Sequence, residues 1–187
     1  MMRYFTKFLL WLTGWKIISG VVPVPKCVVL GVPHTSIWDF VVSWMFYKSI
    51  GGKPNIVVNK KFFFWPACYL MNYMGAIPVD TARGASLVKQ IMSEFKKREI
   101  LHLAIAPEGT REPTTKWKGG FHTIARAANV PVFCAVFDWG RKEIGILDQI
   151  ELTDDLNADM HRIKQWYKDR GVKGKYPEKF ILGEGLD

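Results

Sequence analysis

Short apolar runs bounded by turn residues recur along this chain of 187 residues, and longer amphipathic stretches separate them. Such runs are typical of strands that are covered on both faces of a sheet. One of them lies between Pro25 and Pro33, which confine it to a few residues. The pattern predicts strands at residues 27–31, 56–58, 76–79, 101–106, 130–137 and 144–147, the last of them at a sheet edge.

Helical spacing of apolar residues marks the segments between these strands. Leu87, Ile91 and Phe95, for example, recur at intervals of four residues and would share one face of a helix. Comparable patterns predict helices over residues 39–47, 84–98, 120–129 and 156–167. Strands that alternate with helices predict a single α/β domain, in which helices cover a largely parallel or mixed sheet.

The first 20 residues combine aromatic and basic side chains. The uncharged run at residues 8–15 would cover about 12 Å as a helix, short of the ~30 Å hydrocarbon core of a bilayer. A spanning helix is therefore disfavoured. A cleaved signal peptide is disfavoured as well, because no cleavage site of small residues follows. We expect residues 1–20 to form an amphipathic helix at a membrane interface and residues 21–187 to form the folded domain. The alternative is a helix that packs on the core of the domain.

The charge of the chain points to an anionic partner. There are 26 Lys and Arg residues and 17 Asp and Glu residues, so the net charge is +9. Nucleic acid, an anionic membrane and a phosphorylated substrate all fit this balance. Nucleic acid is disfavoured, because the aromatic residues lie in apolar runs rather than on a basic polar surface. The three cysteines are far apart and no metal-ligand spacing is present, so we expect free thiols and no metal site.

Residues 34–39 read His-Thr-Ser-Ile-Trp-Asp and follow the first predicted strand. An imidazole takes up a proton near neutral pH, and a carboxylate beside its other nitrogen stabilises the imidazolium. His34 and Asp39 are therefore candidates for a general base and its partner. The stretch from Ser36 to Asp39 also has the pattern of a helix capping box. Taken alone, these six residues favour the structural interpretation.

Residues 107–111 read Pro-Glu-Gly-Thr-Arg and follow the strand predicted at residues 101–106. Gly109 permits a tight turn, and the planar guanidinium of Arg111 suits a phosphate group. Taken alone, this segment favours an ordinary surface turn. Both segments come after a strand and before a helix, and in a parallel sheet such positions share the rim where ligands bind.

Four motifs in a fixed order distinguish this chain more sharply than any one of them. They are His-x4-Asp at 34–39, Gly-x-Ile-Pro-Val at 75–79, Pro-Glu-Gly-Thr-Arg at 107–111 and Val-Pro-Val at 130–132. This order closely resembles the glycerolipid acyltransferase family, which includes the 1-acylglycerol-3-phosphate acyltransferases, over roughly residues 27–137. The resemblance implies transfer of a fatty acyl group from acyl-CoA or acyl carrier protein to a hydroxyl of a lysophospholipid such as 1-acylglycerol-3-phosphate.

The resemblance also implies roles for individual residues. His34 would be the general base and Asp39 its partner. The acceptor would be bound by Glu108, Gly109, Thr110 and Arg111, with Arg111 on its phosphate. The chain departs from the family in two places: Pro33 stands where many members have Asn, and Thr81 stands where a second phosphate-binding Arg is usual. Either Arg83, the nearest arginine, reaches the acceptor, or the acceptor is not a glycerol phosphate.

Direct transfer without a covalent enzyme intermediate is expected, because Ser36 lacks a Gly-x-Ser-x-Gly elbow. The acyl thioester would be a co-substrate, and no cofactor is implied. The enzyme would be peripheral on the cytoplasmic face of an anionic membrane. Two alternatives remain open: an acyl thioesterase, in which the same base activates water, and a non-catalytic anionic-lipid-binding protein.

Two aromatic features bear on lipid contact. The segment at residues 60–74 opens with two lysines and continues with consecutive aromatic residues at 62–65. It is interpreted either as a bilayer contact or acyl-groove wall, or as a helix of the core. Trp117 lies between Lys116 and Lys118, and we expect it to be exposed because charged residues flank it on both sides.

Overall fold

The computed structural model describes residues 2–80 and 84–183 of the chain. The helices are α1 (Met2–Leu12), α2 (Ile37–Ser49), α3 (Ala67–Tyr73), α4 (Gly84–Lys97), α5 (Gly120–Ala128) and α6 (Leu156–Arg170). The strands are β1 (Lys16–Ile17), β2 (Lys26–Val32), β3 (Pro54–Asn59), β4 (Ala76–Val79), β5 (Leu101–Ile105), β6 (Val132–Asp138) and β7 (Glu143–Ile150). Two short 3-10 helices occupy Lys60–Phe62 and Pro177–Lys179.

These seven strands form one sheet in the order β1-β7-β6-β2-β5-β3-β4. All neighbouring strands are parallel except β6 and β7, which are antiparallel. The predicted class is confirmed: a single α/β domain has a mostly parallel mixed sheet, and an N-terminal helix is present. The expectation that residues 144–147 form an edge strand is wrong. Lys16 and Ile17 pair with Glu143 and Ile144, and this two-residue strand covers β7.

Helices cover both faces of the sheet. On one face, Leu10 of α1 and Val42 and Phe46 of α2 pack on β2, β6 and β7. The helix α3 adjoins this layer through Tyr73, whose ring centroid lies 5.8 Å from that of Trp44 in α2. On the other face, apolar residues of α4, α5 and α6 form a second core with β2, β5 and β6. The motifs at residues 34–39 and 107–111 lie beyond the carboxyl ends of β2 and β5, between the two layers of helices.

The helix α1 is shorter than the predicted segment at residues 1–20. It packs on α2 along a narrow side made by Thr6 and Leu10, and Arg3 Nε donates a hydrogen bond to the carbonyl of Ser49 at 3.2 Å. Leu9 is partly buried, and the other large apolar side chains of the helix are exposed: Met2, Tyr4, Phe5, Phe8, Trp11 and Leu12. Docking on the domain and exposure of an aromatic side therefore coexist in one helix. Among the described helices, none has the length and apolarity needed to cross a bilayer.

The aromatic segment at residues 60–74 is not a helix of the core. It consists of the first 3-10 helix, a turn and the seven-residue helix α3, and neither helix contains a buried residue. Phe63, Met71 and Met74 are partly buried, but most of its large side chains are at least half exposed: Phe62, Phe64, Trp65, Tyr69, Leu70 and Tyr73. The core interpretation is therefore wrong, and these aromatic residues need another explanation.

Candidate active site

The two motifs at residues 34–39 and 107–111 meet because their strands are neighbours. Strands β2 and β5 are adjacent and parallel, so both chains leave the sheet at the same rim. The backbone N–H of His34 donates a hydrogen bond to Oε1 of Glu108 at 2.8 Å. A separation of 74 positions in sequence thus becomes direct contact, as the strand-end placement predicted.

His34 and Asp39 lie together at the start of α2. The distance between Nδ1 of His34 and Oδ2 of Asp39 is 3.6 Å, within ion-pair range and longer than a hydrogen bond. Asp39 is fully buried, whereas the His34 side chain is 26% exposed and open to a substrate. The predicted pair is therefore close enough for Asp39 to stabilise an imidazolium on His34.

Asp39 also completes the capping box that competed with the catalytic interpretation. Its Oδ2 accepts the backbone N–H groups of Thr35 and Ser36 at 2.7 and 2.6 Å. The hydroxyl of Ser36 in turn accepts the N–H of Trp38, so the first turn of α2 is capped at both positions. The two interpretations are compatible, because the bonds that cap the helix also hold the carboxylate beside His34.

Trp139, which the sequence motifs did not indicate, binds the other carboxylate oxygen. Its indole Nε1–H donates a hydrogen bond to Oδ1 of Asp39 at 2.7 Å. Trp139 follows β6, the neighbour of β2 on the side opposite β5. The only available signal was its position just beyond a predicted strand end, and that position is shared by many residues.

Glu108 is buried, with 6% of its surface exposed. Burial raises its pKa from 4.5 to about 7, although the bond from His34 opposes the shift. Oε1 is occupied by His34, and Oε2 has no hydrogen-bond partner among the described residues. The acceptor-binding role predicted for Glu108 stays a prediction, and the contact that the structure shows is with the backbone of His34.

The remaining motif residues form an exposed turn with a lysine across it. Gly109 has a φ of +65°, and a Cβ there would lie 2.7 Å from Cδ of Lys118. The glycine therefore leaves room for the Lys118 side chain beside Glu108. Thr110 Oγ1 accepts the N–H of Glu112 at 3.1 Å, and Arg111 is exposed. Lys118 was not predicted as a site residue, because only the folded turn brings it over Gly109.

The position at which the family usually has a second phosphate-binding Arg is not covered by the structure. Residues 81–83, which include Thr81 and the predicted acceptor ligand Arg83, fall outside the described residues. The strand β4, which precedes them in sequence, is the third strand from β2, a lateral distance of about 14 Å at ~4.8 Å per strand. The prediction for Arg83 therefore stays open.

Other candidate residues have structural partners. Trp117 is only 9% exposed and packs on Tyr167, so the expectation that it is exposed is wrong. His102 and His122 are buried and hydrogen-bonded, His122 to Asp159 at 3.0 Å. Burial raises the pKa of both Cys27 and Cys134 to about 12, which makes them poor nucleophiles. Within the described ranges, no group of three or more His, Cys, Asp or Glu residues is arranged to hold a metal ion.

The site as a whole defines a class of enzyme. A partly exposed histidine backed by a buried carboxylate suits activation of a hydroxyl or water, and exposed cations nearby suit an anionic substrate. The model of the Acyltransferase family matches residues 19–138, which is more than half of the chain. The chain belongs to this family and is an O-acyltransferase, as the order of its motifs predicted.

A solved structure supports the fold. The chain is similar to the 1-acyl-sn-glycerophosphate (LPA) acyltransferase PlsC from Thermotoga maritima, with a TM-score of 0.61 and 14% sequence identity. The match covers 93% of this chain and 80% of the other. At this identity the likeness establishes a shared fold. No curated protein matches the chain significantly.

Proposed function

We propose that this enzyme transfers a fatty acyl group from an acyl thioester, acyl-CoA or acyl carrier protein, to the free hydroxyl of a lysophospholipid such as 1-acylglycerol-3-phosphate. The observation that carries the proposal is the placement of His34. Its Nδ1 faces the buried carboxylate of Asp39, which leaves Nε2 on the exposed side for the acceptor hydroxyl. A base in this position activates an oxygen nucleophile.

The reaction is a direct transfer. Nε2 of His34 removes the proton of the acceptor hydroxyl while that oxygen attacks the thioester carbonyl carbon. The resulting tetrahedral intermediate expels the thiolate, which takes the proton from His34, so a carbon–oxygen bond replaces a carbon–sulfur bond. The carboxylate of Asp39 stabilises the imidazolium that exists between these two proton transfers.

The acceptor phosphate is held by the turn at Gly109. Arg111 offers a planar pair of N–H donors, and the side chain of Lys118, which lies against Gly109, adds a second positive charge at the same turn. Lys118 thus supplies the second cation that Thr81 does not provide. A lysophospholipid with a terminal phosphate fits two cations better than a neutral monoacylglycerol does.

Thiol release from acyl-CoA, followed with and without acceptor, separates this function from a thioesterase. The proposal predicts that release by the purified enzyme depends on a lysophospholipid and is matched by diacyl product. Release of free fatty acid at the same rate without an acceptor would instead establish the thioesterase. Binding of lipid with neither product would support the non-catalytic alternative.

We also propose that the enzyme works while bound peripherally to an anionic membrane. The large apolar residues left exposed among the described residues all precede position 74, except Ile100, Tyr176 and Ile181. Most belong to α1 and to the segment at residues 62–73, and we refer to these two groups together as the aromatic surface. Aromatic side chains with neighbouring lysines are typical of membrane-interface contacts.

Basic groups accompany the aromatic surface. Arg3 and Lys7, together with Trp11 and Trp15, line a groove of about 430 Å³ beside α1, and Lys60 and Lys61 precede Phe62. Each basic residue near an anionic bilayer contributes about 1 kcal/mol of attraction. Both parts of the surface adjoin α2, whose first turn carries Asp39 and the exposed Trp38. Membrane binding would therefore bring lysophospholipid in the bilayer close to His34. The cytoplasmic face stays a prediction.

A further inference from the structure

The carboxylate of Asp39 is held at both of its oxygen atoms. Oδ2 accepts two backbone N–H groups and faces His34, and Oδ1 accepts the indole N–H of Trp139 at 2.7 Å. Because Asp39 is fully buried, water cannot replace a donor that is lost. A carboxylate bound on both sides cannot turn about its Cβ–Cγ bond without breaking at least one of these contacts.

Trp139 itself is fixed by its neighbours. Its ring and that of Trp15 form a T-shaped pair, with a centroid distance of 5.0 Å and an interplanar angle of 81°. The ammonium groups of Lys142 and Lys175 lie 4.7 and 4.6 Å from the centre of its ring. These contacts restrict the indole plane and therefore the direction of the N–H that reaches Asp39.

We propose that Trp139 is a positioning residue for acyl transfer. Its N–H fixes the rotation of the Asp39 carboxylate, so that Oδ2 stays directed at Nδ1 of His34 while the imidazole gains and loses its proton. This inference rests on the proposed function. It assigns to the turn after β6 a role in the reaction that no sequence motif of the chain indicates.

Two substitutions separate the N–H from the packing of the ring. Trp139→Phe keeps an aromatic ring and removes the donor. Trp139→His keeps a five-membered ring with an N–H two bonds from Cγ, where the indole has its own, but removes the fused benzene ring. Trp166→Phe is the matched control, because it removes an indole N–H that binds a carboxylate, that of Asp148 at 2.7 Å, outside the candidate site.

We expect Trp139→Phe to lower kcat 10- to 100-fold with little change in the KM for either substrate. Losses of this size are typical when a hydrogen bond that orients a functional side chain is removed. Trp139→His should retain a higher kcat than Trp139→Phe although its melting temperature is lower, and the kcat of Trp166→Phe should stay within about threefold of that of the unsubstituted enzyme. An unchanged kcat in Trp139→Phe would overturn the inference. The inference would also be overturned if the kcat values of the three variants fell in the same order as their melting temperatures, because a purely structural role predicts that order.

A second measurement does not depend on activity. In ¹⁵N NMR spectra the Trp139 indole resonance is identified as the one missing in Trp139→Phe. We expect it to be shifted downfield and protected from solvent exchange, and to move upfield in Asp39→Asn, since an amide oxygen is a weaker acceptor than a carboxylate. If the Trp139 indole resonance kept its position in Asp39→Asn, the hydrogen bond between Trp139 and Asp39 would be refuted. Lack of any transfer by the unsubstituted enzyme would instead count against the proposed function.

Discussion

Glu108 is the buried acidic residue of the candidate site in which one carboxylate oxygen has no hydrogen-bond partner among the described residues. Its Oε1 supports the backbone of His34, whereas Oε2 lies buried without a partner among the described residues. A charge in that position is costly, and for this reason the pKa rises to about 7. The Glu108 carboxyl, which accepts the backbone N–H of His34, therefore changes its protonation state near neutral pH.

Glu108→Gln should change how stability depends on pH. Because folding raises the pKa of Glu108 above its ordinary 4.5, the protonated form stabilises the native state below pH 4.5, and this contribution is lost as pH rises toward 7. The glutamine does not titrate but still accepts the His34 N–H. The free energy of unfolding of the variant, relative to that of the unsubstituted protein, should rise by up to about 3 kcal/mol when the pH is raised from 5 to 8. Urea denaturation at both pH values tests this, and parallel curves would contradict it.

Substitution of the two exposed cations should weaken acceptor binding. Arg111→Ala and Lys118→Ala are each expected to raise the KM for 1-acylglycerol-3-phosphate about tenfold, since a charged hydrogen bond to phosphate is lost. Lys116→Ala, an exposed lysine of the same segment, is the control and should leave the KM unchanged. Equal effects on a neutral monoacylglycerol acceptor would show that the cations do not act on phosphate.

The sequence identified the residues of the site that lie in contiguous motifs. The order of four motifs singled out His34, Asp39 and Glu108, their placement after predicted strands put them on one rim, and the structure brings them together. Their roles in the reaction stay predictions. Trp139 and Lys118 were missed because their contacts depend on tertiary placement: Trp139 reaches Asp39 from the end of the neighbouring strand β6, and Lys118 crosses the turn at Gly109. Trp117 was misjudged because flanking charges do not fix the direction of a side chain in a loop.

At the scale of elements, Gly75 governs how β4 joins the sheet. It has a φ of +82°, and a Cβ there would lie 2.1 Å from the carbonyl oxygen of Pro54 in β3. Its own carbonyl accepts the N–H of Ile56 and the side-chain amide of Asn55. The glycine of the Gly-x-Ile-Pro-Val motif is thus required by close approach of two backbones.

Gly75→Ala should destabilise the fold more than Gly14→Ala does. Both glycines have nearly the same positive φ, but a Cβ at Gly14 would meet nothing within 4 Å. The backbone strain, about 1 kcal/mol or more, is therefore common to both variants, and the steric clash is specific to Gly75. We expect an additional loss of about 1–3 kcal/mol for Gly75→Ala in thermal or urea unfolding. Equal losses of unfolding free energy in the two variants would contradict a steric clash between a Cβ at position 75 and the carbonyl oxygen of Pro54.

The spacing of apolar residues predicted the strands and helices well where an element buries one or both of its faces. The apolar runs became β2 through β7, each within a few residues of its expected bounds. The strand β1 was not predicted, because two residues carry no period, and its pairing with β7 removed the expected edge. The aromatic segment at residues 60–74 was ambiguous, since apolar composition alone does not say whether solvent or core surrounds it.

At the scale of the whole molecule, exposed apolar groups concentrate on one layer of helices. The opposite layer, α4 to α6, buries its apolar residues in the core with β2, β5 and β6. A surface of this kind is uncommon on a protein that stays in water, and it marks a contact with lipid or protein. The adjacent lysines favour an anionic lipid surface.

Trp65→Ala should weaken binding to anionic vesicles. Trp65 is 78% exposed in the aromatic surface, and Ile100, 52% exposed before β5, provides the control Ile100→Ala. In co-sedimentation with phosphatidylglycerol vesicles we expect roughly a tenfold loss of partitioning for Trp65→Ala and none for Ile100→Ala. Binding should also fall as salt rises. Equal binding of both variants would contradict a membrane role for this surface.

The most direct test compares the unsubstituted enzyme with His34→Ala in one assay. Each protein receives acyl-CoA or acyl carrier protein thioester and 1-acylglycerol-3-phosphate, and mass spectrometry measures the initial rate of diacyl product. The unsubstituted enzyme should form product, and His34→Ala should form it about 10²- to 10⁴-fold more slowly at unchanged melting temperature. Product formation by His34→Ala at a rate near that of the unsubstituted enzyme would contradict the assignment of His34 as the base.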